Sequence, residues 1–108
     1  MKPPDPLAVA ELEAIERKLV LGLSVGFVPE RTVTEDDLTD VPSRVFFRAV
    51  QMLQRQGADT SQPIVMREQM VRDGHAEYWS LIEMEAPVLI GEFRSAVHRV
   101  LQESLVRR

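Results

Sequence analysis

Cysteine is absent from all 108 residues. That excludes disulfides and thiolate-bound zinc, and it leaves the redox compartment open. Histidine is scarce, with only His75 and His98, and neither has a ligating neighbour at helical i+4 spacing. His75 follows Gly74 and suits interaction with a helix end, while His98 falls on the outer flank of the last helical stretch. None of the five glycines belongs to a GxxxxGK[ST] phosphate loop, because the run from Gly22 to Gly26 lacks the lysine. Ser24, Ser43, Ser61, Ser80, Ser95 and Ser104 sit in no nucleophile-elbow pattern. Glu77, Glu83 and Glu85 read as a solvated helix face rather than a catalytic carboxylate pair. No apolar run approaches the length of a membrane span, and MKPPDP lacks the apolar core of a secretory signal. Period-two alternation, internal repeats and low-complexity tracts are missing as well. The expectation is a cytoplasmic chain with no catalytic residue, no cofactor, no metal and no membrane partner.

What is present is a globular balance, 44% apolar and 28% charged, with a formal net charge of −4. A chain of this length supports one hydrophobic core and not two. An acidic total argues against a dedicated nucleic-acid binder. Residues 1–6 read as an extended, proline-containing tail, and residues 7–108 as a single helical domain. Its organising stretch is Val41 to Gly57. Phe46, Ala49, Val50 and Leu53 recur at i, i+3, i+4 and i+7, one face of a helix that Val45 and Met52 broaden. Pro42 suits the first turn and Gly57 the left-handed residue that closes the helix. Arg44, Phe47, Arg48, Gln51 and Arg55 fall on the opposite side and form a basic outer stripe.

The other segments read as helices too. Asp5 followed by Pro6 is a helix start, and Leu12, Ile15, Leu19 and Leu23 continue at helical spacing. Glu11, Glu13, Glu16, Arg17 and Lys18 are assigned to solvent, and Gly22, Gly26 and Pro29 to the end of that helix. Thr34 caps a short turn begun by Glu35-Asp36-Asp37, with Leu38 as its core contact. This acidic cluster lacks the alternating oxygen ligands of a calcium loop and reads as helix-start charge. Pro63 opens a short helix carrying Val65, Met66, Gln69 and Met70 and stopped by Gly74, its methionines filling gaps in the core. Tyr78, Trp79, Leu81 and Ile82 mark a further short helix that ends at Pro87. The last helix begins near Val88. Ile90, Phe93, Val97 and Val100 form its main stripe, broadened by Leu89, Ala96, Leu101 and Leu105. The fold class is all-α: a compact orthogonal bundle of about six helices, ending in a helical hairpin.

Two features address binding. The stripe of Arg44, Phe47, Arg48 and Arg55 is a candidate nucleic-acid or partner surface, with Phe47 placed to stack on a base. A solvated helix face is the plainer alternative, and direct nucleic-acid binding is not expected. The final helix is apolar on more than one flank, so either a partner covers it or Leu101 and Leu105 pack under the first helix.

The order of motifs resembles the N-terminal domain of bacterial replicative helicases of the DnaB type. The carriers are Leu19-Val20-Leu21-Gly22, then Glu35-Asp36-Asp37-Leu38, then Arg44, Phe47, Ala49, Val50, Leu53 and Gly57. Val65-Met66 with Met70 and Gly74 follow, then Tyr78-Trp79 with Ile82, and a terminal stretch from Ile90 to Arg108. Ser43 stands where the family commonly has histidine, and Leu38 where it commonly has an aromatic. The resemblance implies a non-catalytic collar domain, its ATP-driven motor lying elsewhere, that pairs with its own copy and receives primase during DNA replication. It further implies a pairing hairpin spanning Tyr78 to Arg108, with Phe93, Val97, Val100, Leu101 and Leu105 as the oligomer interface. Alternative readings are the helicase-binding domain of a primase, a stand-alone protein that binds the helicase ring, and a helical DNA-binding module.

Overall fold

A computed structural model describes residues 5–108. Most of the expected tail, residues 1–4, lies outside that range; Asp5 and Pro6 already belong to the first helix. The Asp5 carboxylate accepts a hydrogen bond from the Leu7 N–H, and Pro6 occupies the first turn of α1 (Pro6–Ser24), where its missing N–H costs nothing. A 3₁₀ turn, Glu35–Asp37, leads into α2 (Val41–Arg55). Asp40 caps α2 by accepting from the Ser43 N–H, and Gly57 follows the helix at φ 81°, a left-handed conformation open to glycine. The remaining elements are α3 (Pro63–Arg72), α4 (Ala76–Glu83) and α5 (Ile90–Arg107). Among the described residues the fold is all-helical, with five α-helices and one 3₁₀ turn where about six helices were expected.

Packing follows a chain of neighbours. α5 lies along α1; α1 also meets α2 and α4; α2 and α4 meet each other and α3. Gly22 faces Phe93, Lys18 donates to Glu92 at 3.1 Å, and Ile15 borders Ser95 to Arg99, an order that makes α1 and α5 antiparallel. Leu19, Val20, Phe46, Met66, Met70, Ile82, Phe93 and Val100 are fully buried in one contiguous core. The Phe46 and Trp79 rings stack at 6.1 Å, and Phe27 lies 5.4 Å from Phe93.

Four expectations are corrected here. The terminal hairpin does not form: α4 makes no packing contact with α5 among the described residues, because the Met84–Leu89 connection delivers α5 to α1 instead. Gly22 does not end α1; it is a buried interior position where the helix runs close against the Phe93 ring. Phe47 does not face outward, being only 3% exposed. Three helices and the 3₁₀ turn surround α2, so its buried arc is wider than the i, i+3, i+4, i+7 face and takes in Phe47 and Ser43. Glu16 is not solvated but completely buried.

Candidate docking surfaces

Several charged side chains tie separate elements of the fold together. Glu16 projects from α1 toward the start of α2, where backbone N–H groups lack helical partners. Its carboxylate accepts from the Thr39 N–H at 2.5 Å, the Thr39 hydroxyl at 2.5 Å and the Asp40 N–H at 2.9 Å. The next residue, Arg17, donates through two nitrogens to Asp40, at 3.0 and 3.1 Å. α1 thus supplies a second cap to α2 from outside it, with negative charge at the positive end of the helix dipole.

Asp37 fastens the far end of the C-terminal helix through that helix's side chains. Its carboxylate accepts from the Thr34 N–H at 2.8 Å, the Ser104 hydroxyl at 2.7 Å and Arg108 at 2.9 Å, while Arg107 donates to its backbone carbonyl at 3.0 Å. Burial pushes the Asp37 carboxyl up, but these hydrogen bonds and the Arg108 charge more than offset it and leave it below its ordinary value. Every described buried side-chain nitrogen and oxygen has a partner. The acidic turn is therefore a clamp between α2 and α5. No group of three or more His, Asp or Glu residues able to hold a metal occurs among the described residues.

The basic stripe expected on α2 is taken apart by the same turn. Arg48 pairs with Glu35, and Arg44 reaches it at 3.5 Å; the hydrogen bond from Arg48 is the main reason Glu35 is held below the usual carboxylate range. Phe47 is in the core and has no face to offer a base. Arg55 alone remains outward without an ion pair among the described residues. Two of the stripe's charges are thus already compensated within the fold.

The expected oligomer interface on α5 is corrected in a similar way. Phe93, Val97 and Val100 are buried in the domain's own core because α5 packs lengthwise on α1 and against the 3₁₀ turn. Leu101 packs partly buried against that core. Only Leu105, 71% exposed, points outward, beside Val106.

A different surface emerges between elements that sequence reasoning kept apart. The end of α1, the start of α3, and α4 with its following loop enclose a recess of about 390 Å³. Leu21, Val25, Met66, Trp79 and Val88 form its apolar lining, with Thr60 and Glu83 at the margin. Thr60 is held there by donating to the Ser24 carbonyl at 2.7 Å and accepting from the Gln54 amide at 3.1 Å. Trp79 and Glu83 also border an adjoining shallow hollow with Pro63 and Ile64. Exposed Met84 and Leu89 are chain neighbours of the lining residues Glu83 and Val88. Nothing in the periodicity of α3 or α4 announced this recess, because its walls come from four separate segments. No helix among the described residues is long and apolar enough to cross a membrane. No protein-family model, no curated protein and no solved structure matches the chain.

Proposed function

We propose that this chain is a non-catalytic protein-interaction domain of the kind that forms the N-terminal collar of a DnaB-type replicative helicase and receives primase. The observation that carries the reading is the apolar recess between α1, α3 and α4, set in a frame whose buried carboxylates are already engaged in holding helices together. A site with an apolar floor and few polar groups on its margin suits an apolar side chain from a partner helix better than a reacting substrate. The motif order that resembles the helicase domain supplies the partner's class. Its residues have structural work here: Gly22 admits Phe93, and Phe47, Ala49 and Val50 build the centre of the core. Self-association is weak in this reading, with Kd roughly micromolar or above, since Leu105 and Val106 offer far less than a standard interface.

Trp79, the only tryptophan, lines the recess and reports on its occupancy. Titration with the helicase-binding domain of a bacterial primase should give a saturable change in its emission. Val25→Glu and Ile64→Glu, at exposed positions beside the recess and the adjoining hollow, should abolish that change while circular dichroism stays unaltered. Absence of binding at about 100 μM primase domain would remove the primase assignment.

A further inference from the structure

A second recess, of about 370 Å³, lies between α5 and the loop that follows α1. Phe93 and Val97, almost completely buried, lie beneath it, and Pro29 closes one side. Arg94 and His98, one turn apart on α5, face Arg31 of the loop across it. Carboxylates outnumber the basic side chains by 17 to 13, and Arg17, Lys18, Arg44, Arg48, Arg99 and Arg108 are ion-paired, whereas neither arginine lining this recess is. Arg31 and Arg94 make no ion pair or side-chain hydrogen bond among the described residues, and His98 makes none either. Two guanidiniums and an imidazole therefore converge on one concave site with their donors unspent.

We infer that this recess docks an acidic peptide segment of a partner protein. The arginines are exposed and match carboxylate geometry. Glu30 on the same rim disfavours a uniform polyanion and leaves room for spaced charges. The inference does not depend on the replication reading, and the site shares no lining residue with the recess around Trp79.

The test uses three fluorescein-labelled probes: a peptide alternating Asp and Leu around a central Phe, its counterpart with Lys for Asp, and an oligothymidylate. The acidic peptide should bind with Kd of about 10–100 μM and shift the backbone amide resonances of Arg31, Arg94 and Val97. Arg31→Glu/Arg94→Glu changes two exposed side chains, so the fold persists by circular dichroism, and affinity for the acidic peptide should fall about tenfold or more. The charge-reversed protein should in turn bind the lysine peptide, which the wild type ignores. Equal binding by the wild-type and reversed proteins would overturn the inference, as would no binding at about 1 mM peptide. Tighter binding of oligothymidylate than of the acidic peptide would overturn it in favour of a nucleic-acid surface.

Discussion

Gly22→Ala sets two known effects against each other. In a helix interior, alanine is favoured over glycine by about 1 kcal/mol, so α1 considered alone should be stabilised. The tertiary structure opposes this. A Cβ at position 22 would overlap Cδ2 of Phe93 and come within 3.1 Å of its Cγ and Cε2. Phe93 is 1% exposed and already packed against Phe27, so its ring has little room to retreat. Forcing a methyl group into such a site costs about 1–3 kcal/mol, occasionally more. The balance should be a net destabilisation of up to about 2 kcal/mol, once the propensity gain is subtracted. With an m-value of about 1–2 kcal/mol/M, the urea midpoint should fall by up to about 1 M. Phe93→Leu removes the ring that the methyl group meets. In that background Gly22→Ala should become neutral or stabilising, giving a coupling energy of about 1 kcal/mol or more across the cycle. A higher midpoint for Gly22→Ala in the wild-type background, or strict additivity with Phe93→Leu, would refute the close α1–α5 approach.

Other consequences can be checked on the same purified protein. Glu16→Leu keeps an apolar helix face intact yet strips the Asp40 and Thr39 N–H groups of their acceptor, so it should destabilise by about 2–5 kcal/mol in a urea melt; a solvated glutamate would give less than about 0.5 kcal/mol. Phe47→Ala should cost about 3–5 kcal/mol, as should Phe46→Ala, and a midpoint near that of the wild type would return Phe47 to the surface. Asp37 is held below its ordinary value of 3.8, so the unfolded chain takes up that proton first and the folded state loses stability as pH drops. Its contribution is complete above the unfolded value and declines as pH falls toward the folded one; melts between about pH 5 and pH 2 should show a shallower acid decline in Asp37→Asn than in the wild type. Leu105→Asp, at a 71% exposed position, should leave stability within about 0.5 kcal/mol, and sedimentation equilibrium then reads its effect on self-association alone.

The site was legible only where one residue's role depended on its near neighbours. Asp5, Thr34 and Gly57 act within a few positions of themselves, and their roles as cap, turn start and helix stop could be read from the string. The same local logic misplaced Arg44 and Arg48, whose partner Glu35 sits on another element. It also missed both recesses. Their walls are drawn from segments far apart in the chain, and no periodicity within one helix encodes a gap between several.

The sequence alone determined that the chain is helical, where its principal helices start and stop, and which residues of α2 and α5 are apolar enough to bury. Those properties follow from helical spacing, proline and glycine geometry, and capping, all of which operate over a few residues. Tertiary structure decided which side each broad apolar stripe would spend on the core. It turned Phe93, Val97 and Val100 inward against α1, where the sequence allowed a second copy, and it enclosed Phe47 because α2 is surrounded on several sides. It also made Glu16 an interior residue. A carboxylate is an expensive group to bury, and no pattern predicts it; three donors at the start of α2, more than twenty positions away, made that burial favourable.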